Sequence, residues 1–161
     1  MQVKTLIFTL FSIFILLTNC SAYEQKNIDS FKRLSEFDSV QKFEAYYHSY
    51  IQECLNNGFG GTGSIPCFVA YKLWDKELNT YYNQLLSKLS TDEKELLISS
   101  QKAWLKSRDL TINLNSKLLD KRYDEEGTMY LLMRAGDADF VISEIIKERA
   151  LFLKNWADSI K

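Results

Sequence analysis

The sequence is poor in histidine, proline and glycine, and each shortage excludes a class of structure or function. One histidine, His48, among 161 residues leaves too few imidazoles for most histidine-dependent catalysis and for nearly all histidine-based metal sites. One proline and six glycines leave long stretches without helix breakers. A net charge of −1 lacks the basic surplus that nucleic-acid binding requires. We therefore expect no nucleic-acid partner, no metal and no other cofactor.

Hydrophobic residues make up 46% of the chain, which is enough for one domain with its own core. Only one long apolar run occurs, over residues 6–17, and it follows Lys4. This run is too short to span a membrane comfortably and has the length of a signal-peptide core. The sequence therefore predicts a signal peptide over residues 1–22 and a single exported helical domain over residues 23–161.

Two cleavage sites compete after the apolar run. Small residues at Cys20 and Ala22 fit ordinary signal cleavage, which gives a soluble mature chain that begins at Tyr23. Residues 17–20, Leu-Thr-Asn-Cys, also resemble a bacterial lipobox, which makes Cys20 the candidate lipidation site and the only expected membrane attachment. Either cleavage predicts a protein of the bacterial periplasm or cell envelope.

Cys54 and Cys67 remain after either cleavage. An even pair of cysteines in an exported protein predicts a disulfide. Four of the six glycines and the only proline lie between these two cysteines. This loop contains a literal G-x-G-x-x-G, but the strand and the βαβ unit that a dinucleotide site requires are not indicated, so we expect no such site.

The breaker-free segments predict an all-α fold, an antiparallel bundle of about four long helices plus a short helix, held by one disulfide. The first segment runs from about residue 27 to residue 55, with Phe31, Leu34 and Phe37 on one helical face. The second runs over about residues 68–89 and carries an apolar stripe.

The second half of the chain predicts two further long helices. A capping-box pattern at residues 90–93 starts the third helix, which we expect to end near residue 123. Residues 128–135 are expected to form a short turn or helix, and Asp137 or Asp139 to cap the last helix. The expected inward face of that last helix includes Phe140, Val141, Ile145, Phe152 and Trp156.

Polar and aromatic residues recur at helical spacing in three clusters. The set comprises Asp75, Asn79, Tyr82, Gln101, Trp104, Arg108, Asp109 and Arg149. Spacings of three and four residues place neighbouring members on one helix face. A buried arginine must find a carboxylate or carbonyl, and Asp75 or Asp109 can serve Arg108 or Arg149. We interpret the set as a structural polar network, with a ligand pocket as the alternative.

The same residues form the ordered motifs D-x-x-L-N-x-x-Y (75–82), Q-x-x-W-x-x-x-R-D (101–109), G-T (127–128) and R-A-x-x-L (149–153). In this order and spacing they resemble the LprI-type lysozyme-inhibitor domain family of small exported bacterial proteins. The resemblance covers about residues 54–153 and leaves residues 23–53 as an N-terminal helical extension. Members often carry two further cysteines that this chain lacks, so we expect no second disulfide, and we expect the extension to compensate by packing.

The resemblance implies a non-enzymatic binding protein that inhibits lysozyme, or a related peptidoglycan-degrading enzyme, by protein contact. Many lysozymes are strongly cationic, so an acidic patch would steer their association. Acidic residues cluster around Gly127, with Asp120, Asp137 and Asp139 as outer members, and the disulfide-pinned loop is a second candidate surface. The candidate contact residues are Phe59, Gly60, Gly61, Thr62 and Ser64 in the loop and Asp124, Glu125, Glu126, Gly127 and Thr128 in the turn.

Two other functions stay open from the sequence alone. An envelope structural or adaptor module, or an immunity partner of a secreted toxin, predicts no affinity for lysozyme. An enzyme with a pocket around Asp75, Gln101 and Arg108 predicts a cleft with a strongly shifted carboxylate. No nucleophile or metal set accompanies these three residues, so we favour a protein partner over a substrate.

Overall fold

The computed structural model describes residues 25–58 and 60–160, and every regular element in these residues is helical. The four long helices are α1 (Val40–Asn57), α2 (Ala70–Lys88), α3 (Thr91–Arg122) and α4 (Thr128–Ser159). Short 3-10 helices span Ile28–Ser30, Leu34–Glu36 and Gly61–Cys67. The predicted all-α fold with four long helices is confirmed.

The predicted signal peptide over residues 1–22, its candidate lipidation site Cys20 and the loop residue Phe59 lie outside the described residues. None of the described helices is long and apolar enough to cross a membrane. Among the described residues, no group of His, Cys, Asp and Glu side chains is placed to hold a metal ion.

Sequence signals at the helix starts account for the main boundaries. The predicted capping box before α3 is confirmed, since the backbone N–H of Ser90 donates to Glu93 Oε2 at 2.9 Å. Ser39 caps α1 by accepting a hydrogen bond from the backbone N–H of Lys42 at 3.2 Å. Gly127 precedes α4 with a φ of 137°, a conformation that favours glycine.

Helices α2 and α4 run parallel, since contacts at both ends join their residues in the same order. The backbone N–H of Tyr71 donates to Asp139 Oδ1 at 3.1 Å at one end of the pair. At the other end Lys88 Nζ donates to the carbonyl oxygen of Ala157 at 2.6 Å. Helix α2 therefore packs along the second half of α4, and this contact is the most extensive in the fold.

The first half of α4 pairs instead with the end of α3. Arg134 forms an ion pair of 2.6 Å with Asp120, and Arg122 forms one of 2.8 Å with Asp137. Residues 108–138 therefore form an antiparallel helical arm that continues past the start of α2, with the acidic turn at its end.

Helix α1 packs against α2 through aromatic side chains. The rings of Phe43 and Trp74 meet edge to face with 5.3 Å between their centroids, and Trp74 Nε1 donates to the Tyr47 hydroxyl at 3.1 Å. All three side chains are fully buried. Ahead of α1, Arg33 Nε lies 2.5 Å from the buried carboxylate of Glu77. The N-terminal segment thus belongs to the same core as α2.

The first predicted helix is shorter than expected. Phe31, Leu34 and Phe37 do not share a helical face, because they lie in two 3-10 turns and the extended residues beside them. Phe31 and Leu34 are buried nonetheless. Side-chain caps explain why no continuous helix forms before α1. Asn27 caps the first 3-10 turn, and Ser39 caps the start of α1 twelve residues later.

The expected boundary within the last helix is wrong. Residues 128–135 are the first turns of α4, and Asp137 and Asp139 lie inside this helix rather than at its N-cap. Gly136 does not interrupt the helix, and its missing side chain makes room for Phe68. A Cβ on Gly136 would lie 3.0 Å from the ring of Phe68.

The expected inward face of α4 is wrong as well. Phe140 is 64% exposed, and Phe152 and Trp156 are also exposed, while Val141 and Ile145 are half-buried. The side chains that α4 buries are Asp139, Ser143, Ile146, Ala150, Leu153 and Ala157. Four of these six are small or polar, which lets α2 and α4 approach closely. The buried face of α4 therefore lacks the row of large apolar residues by which a sequence pattern predicts such a face.

Candidate protein-binding surface

The predicted disulfide between Cys54 and Cys67 is confirmed, with their Cα atoms 5.6 Å apart. The loop that it closes ends in the 3-10 helix Gly61–Cys67, which packs on the first turns of α4. Closing a loop of this size stabilises the fold by about 3 kcal/mol in the chain-entropy model. The disulfide therefore holds the loop against the helical arm.

The loop and the acidic turn meet where Gly61 contacts Thr128. A Cβ on Gly61 would lie 2.7 Å from Thr128 Oγ1, closer than any real side chain allows. Gly61 also has a φ of 51°, which L side chains rarely adopt. The two candidate segments therefore form one surface at the end of the arm, which we call the tip surface (residues 60–62 and 124–128).

Three carboxylates give the tip surface its negative charge. Asp124, Glu125 and Glu126 are exposed, and no ion pair among the described residues involves them. The carboxylate of Glu125 beside the Tyr130 hydroxyl raises the pKa of Tyr130 above its usual range. Glu125 and Glu126 are both exposed to a cationic partner.

The acidic patch is smaller than the sequence predicts. Asp120 and Asp137 are paired with arginines of the arm, and Asp139 is buried beneath α2. Ion pairing offsets the charge of Asp120 and Asp137, and burial removes Asp139 from the surface that a partner meets. Only the three carboxylates of residues 124–126 remain.

The loop also presents fewer residues than expected. Ser64 is 1% exposed, and its Oγ accepts a hydrogen bond from the backbone N–H of Gly60 at 3.0 Å. Ser64 therefore shapes the loop from inside and cannot face a partner, which corrects its place among the contact residues. Gly60 and Thr62 are exposed.

Apolar side chains beside the tip surface were missed by sequence reasoning. Met129, Met133 and Phe140 are all exposed on one side of α4. Their spacing of four and seven residues is the available signal, because it places them on one helix face. Methionine side chains adapt to irregular partner surfaces, and exposed apolar groups next to a charged rim are typical of protein interfaces.

A polar cluster lies between α3 and α4, beyond the end of the arm that is remote from the acidic turn. Arg149 Nε donates to Gln101 Oε1 at 3.0 Å, and Arg149 Nη2 donates to Ser100 Oγ at 3.1 Å. The guanidinium carbons of Arg108 and Arg149 lie 5.4 and 5.9 Å from the ring centroid of Trp104. Burial lowers the pKa of Arg149. The cluster joins two helices through one indole ring and one amide.

The family model described as lysozyme inhibitor LprI matches residues 67–153, which is more than half of the chain. The chain belongs to the LprI lysozyme-inhibitor family. The match ends where the resemblance of the sequence motifs ends and begins at the second cysteine, so α1 and most of the disulfide loop precede it. No curated protein and no solved structure matches the chain.

The LprI motifs do not all meet in one site. Asp109 pairs with Arg108 at 2.7 Å within α3. Asp75 and Asn79 lie elsewhere, on the outer side of α2, where Asn79 Nδ2 donates to Asp75 Oδ2 at 3.0 Å. Tyr82 is half-buried and packs against the core. Residues 101–109 and 149 thus form one cluster, separate from the outer surface of α2.

LprI-family proteins are exported bacterial proteins, and the activity in the family name is inhibition rather than catalysis. A protein partner such as lysozyme follows from this membership at the level of the family. The tip surface lies partly inside the matched region, because its acidic turn does and its glycines do not.

Proposed function

We propose that this LprI-family protein inhibits lysozyme, or a related peptidoglycan-degrading enzyme, by non-enzymatic contact through the tip surface. The observation that carries the proposal is the contact between Gly61 and Thr128. This contact brings a disulfide-pinned loop and an acidic turn onto one protruding surface. A loop that is already ordered loses little conformational entropy when it binds.

The chemistry of the tip surface supports a cationic protein partner. Exposed carboxylates at residues 124–126 attract positive charge at long range and raise the rate of association. The neighbouring side chains of Met129 and Met133 offer apolar area that a partner can desolvate. The exposed carboxylates would speed association with a cationic partner, and the apolar side chains beside them would add affinity.

We place this activity in the bacterial periplasm or cell envelope, where peptidoglycan-degrading enzymes meet their substrate. The apolar run over residues 6–17, which we interpret as the core of a signal peptide over residues 1–22, supports this location. A lipid on Cys20 would hold the inhibitor at a membrane, and ordinary cleavage after Ala22 would release it. Both forms present the same helical domain.

The direct test is titration of the purified protein against chicken-type lysozyme, with binding and cell-wall hydrolysis measured on the same samples. We expect submicromolar binding at physiological salt, weaker binding at high salt, and loss of hydrolysis in proportion to occupancy. High salt weakens the complex because it screens exposed charges. Absence of binding by a correctly folded sample would contradict the proposal and favour an envelope or toxin partner.

A pair of matched charge reversals locates the contact. Glu126→Lys changes the tip surface, whereas Glu148→Lys makes the same change of net charge on an exposed residue of α4. The two residues are about 30 Å apart along the helix, from a rise of 1.5 Å per residue. We expect the first variant to bind lysozyme at least about tenfold more weakly and the second to bind normally. Equal weakening would show that only net charge matters and would reject the tip surface.

A further inference from the structure

Helix α3 has a second apolar face, which is exposed along most of its length although Ser100 Oγ accepts a hydrogen bond from Arg149 of α4. Its core side contributes Leu97, Gln101 and Leu119. On a neighbouring side four leucines are exposed by 72, 63, 61 and 54%, namely Leu96, Leu110, Leu114 and Leu118. The last three follow one another at intervals of one turn, and adjoining exposed leucines of this kind mark an interaction surface.

The exposed face of α3 has the spacing of a coiled-coil seam. Steps of four and three residues alternate through Leu96, Ser100, Ala103, Ser107, Leu110 and Leu114, which we call the outer seam. The residues at its centre are small, and its ends carry leucine. Small central residues permit a second helix to approach closely, and flanking leucines supply the apolar area that is buried.

The two ends of α3 carry opposite charge. Residues 91–95 have three acidic residues, Asp92, Glu93 and Glu95, against one basic residue, Lys94. The last two turns have three basic residues, Lys117, Lys121 and Arg122, against one acidic residue, Asp120. Arg122 is paired with Asp137 of α4, so Lys117 and Lys121 carry the free positive charge of this end. A second copy that runs antiparallel meets opposite charge at both ends, whereas a parallel copy meets like charge.

We propose that two copies of this protein associate through the outer seam, with their α3 helices antiparallel about a two-fold axis. In this register Leu96 faces Leu114 of the second copy, and Ser100 faces Leu110. Ala103 faces Ser107 next to the axis. Each contact occurs twice, as in other two-fold symmetric interfaces.

Charge and shape support this register. One heptad position beyond Leu96, Glu93 faces Lys117 of the second copy, so an acidic and a basic residue meet at each end of the seam. An open groove of about 420 Å³ adjoins the acidic end, and its lining includes Leu89, Leu96 and Trp156. Leu114 and Leu118 of the second copy lie opposite this groove and can fill it.

Sedimentation equilibrium of the purified protein tests the association. We expect the mass of two chains at micromolar concentration. Leu110→Lys should raise the dissociation constant by at least about a hundredfold, because it buries an unpaired charge twice per dimer. Leu131→Lys makes the same replacement at an exposed leucine of α4 and should leave the dimer intact. A monomeric protein, or a dimer that survives Leu110→Lys, would overturn the proposal.

Cysteine cross-linking tests the direction of the two helices. In the antiparallel register the two Leu96 positions are about 27 Å apart, from 18 residues at 1.5 Å each, so Leu96→Cys alone should not cross-link under mild oxidation. A mixture of Leu96→Cys and Leu114→Cys chains should give a covalent dimer. A covalent dimer from Leu96→Cys alone would show parallel pairing and reject the register. Neither test depends on binding to lysozyme.

Discussion

Asp139, in the middle of α4, caps the first turn of α2 by accepting a hydrogen bond from the backbone N–H of Tyr71 at 3.1 Å. The N-cap residue of α2 is Val69, which has no side-chain acceptor for the free N–H groups of that turn. A carboxylate of another helix therefore does what a serine or aspartate N-cap does elsewhere. This bond sets the position of α2 along α4.

Replacement of Asp139 should change how stability depends on pH. Burial raises the pKa of the Asp139 carboxyl, although backbone N–H groups of α2 oppose the shift. The folded protein then keeps a proton that the unfolded chain releases, so this contribution is full below a pH of about 4 and is lost as the pH rises through the folded pKa. Asp139→Asn keeps an acceptor and removes the titration. Urea unfolding at acidic and neutral pH should show that wild type loses stability relative to Asp139→Asn as the pH rises.

A second variant separates the cap from the charge. Asp139→Ala removes the acceptor for Tyr71 and should be about 1 kcal/mol less stable than Asp139→Asn at both pH values, because neither variant titrates at this position and the loss of an N-cap usually costs this much. If Asp139→Asn and wild type differed by the same amount at both pH values, the carboxyl would not titrate differently on folding.

Substitution at Gly61 should separate the loop from the turn. Gly61→Ala places a methyl group against Thr128 and strains the backbone, so we expect a loss of about 2 kcal/mol in unfolding free energy together with weaker lysozyme binding. Gly60→Ala is the matched control, because Gly60 also has a positive φ, of 73°, but a Cβ there meets nothing within 4 Å. Equal effects on binding would mean that the contact with Thr128 is not needed for recognition.

The ion pair between Arg33 and Glu77 should matter far more than a nearby exposed pair. The side chain of Glu77 is 3% exposed, and Arg33 is its cationic partner. Glu77→Ala should cost about 3 kcal/mol, because it leaves a largely buried guanidinium without a carboxylate. Asp29→Ala breaks the pair of Lys76 with an aspartate that is 81% exposed, and it should cost less than about 1 kcal/mol. Chemical denaturation of both variants checks the contrast.

The N-terminal segment should be required for stability. A chain that begins at Gln52 lacks Phe43 and Tyr47 and exposes Trp74, and losing one such buried aromatic already costs about 3–5 kcal/mol. We expect a lower melting temperature and rapid proteolysis. A chain that begins at Ser39 keeps α1 and should show an intermediate loss. An unchanged melting temperature for the shorter chain would refute the proposal that this segment compensates for a missing second disulfide.

The sequence predicted correctly those helices whose ends are marked by capping residues or helix breakers. The capping box at residues 90–93 starts α3 where it was expected, and the glycine-rich loop between Cys54 and Cys67 separates α1 from α2. The sequence motifs also predicted the family, because their order and spacing are local properties of the chain. Breakers, caps and motif spacing act within a few residues, so no knowledge of the tertiary structure is needed to find them.

Contacts between residues that are distant in the sequence could not be predicted from these local signals. The inward face of α4 is formed by small and polar residues because α2 lies against it, while Phe140 and Trp156 point outward. Gly136 lies within a helix because Phe68 fills the space beside it. The sequence of α4 alone predicts neither which of its faces is buried nor that the helix continues through Gly136.

The sequence by itself determined the helical class, the disulfide, the family and the presence of two candidate segments for a partner. Only the tertiary structure decided that these segments form one surface, through the contact of Gly61 with Thr128, and that three of the acidic residues are paired or buried. The physical reason is that helix formation depends on neighbours along the chain, whereas a shared surface depends on how separate helices pack.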